Sequence, residues 1–127
     1  MQPNAASVAL IEAERVLLIQ RTFEPYGRLW TLPGGRREPS EAIEATAVRE
    51  IAEELGLAVS ALQPVTSMHL KGGFLLQVFA TSMFIGTIVP SSEIAAHRWL
   101  RPDEIGDLPT TPDLDEVLAK AFAVIRR

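Results

Sequence analysis

The order of apolar and polar residues along the chain predicts short strands separated by polar turns. Apolar runs at residues 7–12 and 15–20 favour two strands, and the polar residues between them favour a turn. Further segments typical of strands lie at residues 29–32, 62–70, 74–86 and 96–100. The first of these is expected to stop at Pro33-Gly34-Gly35, because proline and glycine interrupt strands and form turns.

Two segments have the apolar period of an amphipathic helix. Residues 40–55 are expected to begin at Ser40 as the capping residue and to end before Gly56. In residues 113–125 the apolar side chains recur at helical spacing, at Leu114, Val117, Leu118, Ala121 and Ile125. Strands before, between and after these helices predict an α/β fold, with a mixed sheet covered by helices on both faces.

Composition narrows the class of protein. The chain has 127 residues, of which 47% are hydrophobic and 22% charged, so residues 1–127 are expected to form a single domain. It contains no cysteine, which excludes disulfides and thiol nucleophiles. The formal net charge of −4 argues against general nucleic-acid binding. Polar residues interrupt the longest apolar stretch and no signal peptide is visible, so we expect a cytoplasmic protein that does not bind membranes.

The predicted first helix concentrates carboxylates on one side. Glu50, Glu53 and Glu54 fall within an arc of about 100° on an ideal helix. Roughly opposite lies the side that is expected to pack on the sheet, formed by Val48, Ile51, Ala52 and Leu55. A run of charges is usually only a solvated helix face, which is the interpretation we give to Glu38 and Glu44.

Three neighbouring carboxylates repel one another, and a fold seldom requires them. Hard divalent cations such as Mg²⁺ or Mn²⁺ do require clustered oxygen ligands. Arg49 precedes Glu53 by four residues and could hold that carboxylate in place, although such a pair can also be an ordinary surface ion pair. The Pro33-Gly34-Gly35 segment would let the backbone approach a ligand closely.

Together these residues resemble the Nudix box, the signature of the Nudix (MutT-like) hydrolase family. The match covers residues 35–57 and has no departure at a specified position: Gly35, Glu41, Arg49, Glu50, Ile51, Glu53, Glu54, Gly56 and Leu57. From average residue usage, one starting point would match by chance on the order of one time in a billion. The resemblance implies the Nudix fold, an α/β/α sandwich with a mixed sheet between helices.

The resemblance also implies roles for individual residues. Glu50 and Glu54 would be the principal Mg²⁺ ligands, and Glu53 would be a third ligand or would position a water. The backbone carbonyl of Gly34 would be a further ligand. Arg49 would orient a metal-binding glutamate, while Glu41 and Gly35 would support the geometry of the loop and helix.

Outside the box the resemblance implies less. Some family members have a metal ligand or base a few residues before a tryptophan-bearing strand, where this chain has Glu93; an ordinary loop carboxylate is the alternative. Arg21 and Arg28 are expected to bind substrate phosphate, since guanidinium groups match phosphate oxygens. Arg36, Arg37 and Lys71 are expected near the same mouth.

The implied activity is Mg²⁺-dependent cleavage of a phosphoanhydride bond in a nucleoside diphosphate linked to another group. A small nucleotide is the expected partner, and ADP-ribose, a sugar nucleotide or a canonical or oxidised nucleoside triphosphate all remain open. A Nudix-fold sensor that binds nucleotides or RNA without catalysis is the alternative, although sensors usually have a degraded box. Many family members are dimers, so the resemblance also allows a homodimer.

Overall fold

The computed structural model describes residues 2–24 and 26–127. Its strands are β1 (Ala5–Glu12), β2 (Arg15–Arg21), β3 (Trp30–Thr31), β4 (Gly34–Arg36), β5 (Ala58–Ser60), β6 (Gln63–Leu70), β7 (Phe74–Thr81), β8 (Met83–Ile85) and β9 (Ile94–Leu100). Its helices are α1 (Ile43–Leu55), the short α2 (Pro102–Ile105) and α3 (Leu114–Ile125). Among these residues no helix is long and apolar enough to cross a membrane.

Seven of the strands form one mixed sheet with β1 near its centre. Strand β1 pairs with β7 in parallel and with β2 and β4 in antiparallel orientation, and β6, β3 and β9 extend the sheet. The side chains of β1 alternate between the two core layers, so this strand is almost wholly buried. Its central position explains its near-continuous apolar sequence.

The two long helices cover opposite faces of this sheet. Ile51 and Leu55 of α1 are fully buried with Val8 and Leu10 of β1 on one face. On the other face, Leu114, Val117, Leu118, Ala121 and Phe122 of α3 pack against the remaining core residues of the sheet. The predicted α/β/α sandwich is therefore confirmed. The expected apolar side of α1 was partly wrong, because Val48 is 40% exposed and Ala52 is also exposed.

Helix α1 begins later than its sequence suggests. Its capping position is Ala42, and Ser40 has a φ of 64°, so the prediction of Ser40 as the N-cap was wrong. Residues 40 and 41 instead belong to the turn before the helix, where Glu41 makes contacts of its own. The C-terminus is as expected: Gly56 has a φ of 71° and its N–H bonds to the carbonyl of Ala52.

Two segments differ from the predicted strands. The segment 74–86 divides after Thr81, and its second part, β8, pairs with β5 in a separate two-stranded sheet. Gly34 and Gly35 lie in the extended strand β4, opposite Ser7 and Ala6 of β1, and not in the expected turn. A Cβ on Gly34 would lie 2.1 Å from the carbonyl oxygen of Ala6. Glycine is required here for close approach of two strands, not for a positive φ.

Candidate functional site

An acidic cavity of about 480 Å³ opens where β4 meets α1 and the loop before β9. Its lining includes the carboxylates of Glu50, Glu53, Glu54 and Glu93, together with Gly34, Gly35, Arg21 and Arg36. The three helix glutamates share this cavity because they project from one side of α1. With Glu24, which also lines the cavity, five carboxylates surround one depression and outnumber its two arginines, which favours a cation.

Glu54 is the buried member of the group, with 4% of its surface exposed. One carboxylate oxygen accepts a hydrogen bond of 2.9 Å from the backbone N–H of Gly34, which ties α1 to β4. Burial is the main cause that raises the pKa of Glu54 to about 8; the Gly34 N–H opposes this shift, and the nearby charges of Glu50 and Glu93 contribute to it. The site thus holds a buried carboxyl group for which the nearby charge of Arg21 only partly offsets the effect of burial.

Glu50 lies against Gly35 of β4. A Cβ on Gly35 would come within 2.3 Å of the carboxyl carbon of Glu50, so only glycine leaves room for this carboxylate. Partial burial raises the pKa of Glu50, and Arg49 opposes that shift. Gly35 therefore provides the space in which a candidate metal ligand lies, and its role does not depend on a turn.

Arg49 lies at the centre of the ionic network around the cavity. Its Nη1 donates to Glu50 at 2.9 Å and to Glu53 at 3.2 Å, and its Nη2 donates to the carbonyl of Arg36 at 2.9 Å. Hydrogen bonds to Glu41 first, and then to Glu50 and Glu53, raise the pKa of Arg49, so the side chain stays charged. The expected contact between Arg49 and Glu53 is present, and Arg49 also makes contacts that the helix spacing did not indicate, to Glu38, Glu41, Glu50 and the carbonyl of Arg36.

Glu41 forms the strongest contact of this arginine. Its carboxylate accepts bonds from Nε and Nη2 of Arg49 at 2.8 and 3.0 Å, and a third bond from the Thr46 hydroxyl at 2.7 Å. The bond to Arg49, followed by that to Thr46, lowers the pKa of Glu41 to about 2. Glu41 therefore holds the turn before α1 against the helix.

Within residues 2–24 and 26–127, no group of three His, Asp or Glu side chains stands ready to enclose a metal ion. The hydrogen bonds described above explain this, because Arg49 holds Glu50 and Glu53 and the Gly34 N–H holds Glu54. Each of these bonds engages one oxygen of its carboxylate. The other oxygen of each carboxylate remains available, and an oxygen-only donor set of this kind fits a hard divalent cation.

The residues predicted outside the box are placed differently from one another. Glu93 and Arg21 both line the acidic cavity, as expected for a ligand or base and for a phosphate-binding residue. Arg28 lines neither this cavity nor the apolar cavity described in the next paragraph, although its backbone N–H donates to the carbonyl of Arg21. Arg36, which the sequence placed only near the mouth, lines both cavities and packs 4.6 Å above the Phe74 ring.

A second, largely apolar cavity of about 360 Å³ adjoins the acidic one. It lies between the sheet and the N-terminal end of α3, and the two cavities share Arg21, Gly34, Gly35 and Arg36. Its size is within the range of ligand pockets, and its apolar walls suit a flat ring. An anionic ligand with a ring at one end could therefore occupy both cavities across β4.

The fold and the box residues together define the class of protein. The NUDIX domain family model matches residues 1–121, and the chain belongs to the Nudix (MutT-like) hydrolase family. The crystal structure of a MutT Nudix hydrolase from Burkholderia pseudomallei superposes with a TM-score of 0.83 and 28% identity, covering 94% of this chain and 98% of that one.

Two curated relatives are similar in sequence. The CTP pyrophosphohydrolase of Escherichia coli is 32% identical over 123 residues, which are 93% of this chain and 90% of that protein. A Mycobacterium tuberculosis protein provisionally named 8-oxo-dGTP diphosphatase 3 is 36% identical over 106 residues, or 76% of this chain. Those residues are 49% of the mycobacterial protein, so the chain spans about half the length of that relative.

Proposed function

We propose that this protein hydrolyses a phosphoanhydride bond of a nucleoside diphosphate linked to another group, with Mg²⁺ as its cofactor. The carrying observation is the acidic cavity, in which Glu50, Glu53, Glu54 and Glu93 line one depression together with Arg21 and Arg36. Carboxylates suit a cation, and guanidinium groups suit phosphate oxygens. A cavity that has both therefore matches a polyphosphate with a bound metal ion. A nucleoside triphosphate is the substrate we favour, since the two relatives described above carry the names of triphosphate hydrolases.

Four groups of the chain are proposed to hold the cation. They are the carboxylates of Glu50, Glu53 and Glu54 and the backbone carbonyl of Gly34. When bound, Mg²⁺ would neutralise phosphate charge and make water a better nucleophile. Mn²⁺ has similar ligand preferences and is proposed as a substitute.

A carboxylate of the same cavity is proposed to accept the proton of the attacking water. The water oxygen bonds to phosphorus, the bridging P–O bond breaks, and the proton passes to Glu53 or Glu93. Glu53 already accepts a bond from Arg49, whereas Glu93 lies close enough to Glu50 and Glu54 to raise the pKa of each. The products are a nucleoside monophosphate and either pyrophosphate or a phosphorylated remainder.

Arg21 and Arg36 are proposed to bind those phosphate groups of the substrate that do not contact the cation. Arg21 and Arg36 line both the acidic and the apolar cavity, so each can reach a chain of phosphates that crosses β4. Arg28 remains a proposal from the sequence. Arg49 is proposed to act on the reaction indirectly, by positioning Glu50 and Glu53.

The test is hydrolysis of a substrate panel with Mg²⁺ or Mn²⁺, scored by phosphate release after phosphatase coupling. The panel contains CTP, dGTP, 8-oxo-dGTP, ADP-ribose and a sugar nucleotide. We expect Glu54→Gln to lower kcat at least about 100-fold, since ligand removal displaces the cation. Glu44→Gln, an exposed change on the same helix, is the matched control. Binding of one compound without turnover of any would favour the non-catalytic sensor instead, and unchanged turnover in Glu54→Gln would refute the metal assignment.

A further inference from the structure

The apolar cavity contains one buried polar group whose presence the fold does not explain. Among the described residues, the Ser7 hydroxyl is the buried side-chain oxygen without a hydrogen-bond partner. Ser7 is 6% exposed and lines this cavity. A buried hydroxyl without a partner destabilises a protein, so native structures usually satisfy such groups or use them to bind a ligand.

The sheet places the Ser7 side chain on the face of β1 that lines the cavity. Along β1, Ala9 and Ile11 belong to the core beneath α3, and Ser7 lies on the same face because side chains alternate along a strand. Its partner in β7 is Val78, which also lines the cavity, and its partner in β4 is Gly34.

We propose that Ser7 is a specificity-determining residue, whose hydroxyl hydrogen-bonds to the edge of a nucleobase seated in the apolar cavity. This inference rests on the proposed function, since it assumes that the ligand is a nucleotide. The surrounding walls, among them Leu32, Leu76 and Leu114, provide apolar contact for the faces of the ring. Among the buried side-chain polar atoms of the described residues, the Ser7 hydroxyl is the one without a partner, so it is available to the edge of a base. With the base there, the phosphates extend past Arg36 toward the acidic cavity.

The Ser7 hydroxyl should lower the stability of the free protein and raise its affinity for a nucleotide, and these opposite effects make the proposal testable. Ser7→Ala removes an unsatisfied hydroxyl from the free protein, so its Tm should stay the same or rise by about 2–6 °C. The same change removes one hydrogen bond from the complex, so the affinity for at least one nucleotide should fall about three- to tenfold. A residue that serves the fold alone would not separate stability from binding in this way.

The matched control is Thr81, a second buried hydroxyl on the same sheet. Its Oγ1 donates to the carbonyl of Ser60 at 2.6 Å and accepts from the N–H of Met83 at 3.0 Å, and it does not line the cavity. Thr81→Val should therefore lower the Tm and leave nucleotide affinity unchanged.

The measurement is calorimetric titration of wild type and both variants with GMP, AMP, CMP, UMP and ribose 5-phosphate. The monophosphates contain no anhydride bond, so binding is measured apart from hydrolysis. We expect Ser7→Ala to weaken one or more monophosphates and to leave ribose 5-phosphate, which has no base, unaffected. The proposal is overturned if Ser7→Ala leaves every monophosphate affinity unchanged, or if no base adds affinity beyond ribose 5-phosphate. Continued turnover in the substrate panel would then show that only this inference has failed.

Discussion

At the scale of single residues, Arg49 connects Glu41, which stabilises the turn before α1, to the carboxylates proposed to hold the metal. Arg49 bonds with two of its nitrogens to Glu41 and with the third to Glu50 and Glu53. The paired, two-point contact with Glu41 fixes the plane of the guanidinium group. The position of the carboxylates proposed to hold the metal therefore depends on Glu41, which does not line the acidic cavity.

The pKa of Glu41 gives a prediction for stability against pH. Its pKa falls from the ordinary value of 4.5 to about 2 in the folded protein, so its contacts stabilise the fold fully above pH 4.5. This contribution should be lost as the pH falls from about 4.5 toward 2. Glu41→Gln should accordingly lower the Tm at pH 7, and the difference from wild type should shrink below pH 4. Thermal unfolding from pH 3 to 7 measures it, and a difference that does not vary with pH would contradict this role.

At the scale of elements, strand β4 separates the two cavities, and its two glycines have distinct functions. A Cβ on Gly34 would collide with the β1 backbone, at 2.1 Å from the Ala6 oxygen and 2.6 Å from the Ser7 Cα. A Cβ on Gly35 would meet only the carboxyl end of Glu50. A strand backbone cannot yield without disturbing the sheet, whereas a side-chain end can rotate away.

The two glycines should therefore respond oppositely to the same substitution. Gly34→Ala should cost about 1–3 kcal/mol of unfolding free energy, because overpacking forces two strands apart. Gly35→Ala should change stability little but displace the Glu50 carboxylate, lowering kcat/KM about 10- to 100-fold. Urea unfolding and steady-state kinetics on both variants separate the effects. Equal losses of stability in the two would show that Glu50 cannot move aside.

The sequence predicted the parts of this site that depend on spacing along one helix. Helical geometry places Glu50, Glu53 and Glu54 together without knowledge of the rest of the fold. It could not predict that Glu54 is buried under β4, because that contact joins residues 20 positions apart through the Gly34 N–H. The expected cap at Ser40 was wrong for a related reason, since Glu41 is held by a side chain eight residues away. Arg36 was likewise underrated, because only the pairing of β4 with β1 places it between the cavities.

At the scale of the whole molecule, a bound cation would add a second link between elements that the Gly34–Glu54 hydrogen bond already joins. The proposed ligands come from α1 and from β4, and the pKa of buried Glu54 is raised in part by its acidic neighbours. The formal net charge of −4 adds a weak, long-range attraction for cations that salt would screen. Specific binding of a cation and this general attraction would both stabilise the protein. Only specific binding should depend on the Glu54 carboxylate, so a substitution there distinguishes the two.

Mg²⁺ should therefore raise the Tm of the wild type in a way that a single substitution abolishes. A ligand at 100 times its Kd stabilises the folded state by about 2.7 kcal/mol, which corresponds to several degrees in a domain of this size. Thermal unfolding with increasing MgCl₂, at ionic strength held constant with NaCl, removes the screening effect. Glu54→Gln should lose the Mg²⁺-dependent rise, whereas Glu44→Gln should keep it because residue 44 is exposed and does not line the acidic cavity. A rise of equal size in both variants would mean that Mg²⁺ acts through the overall charge of the molecule, and the buried carboxylate of α1 would then have no part in binding it.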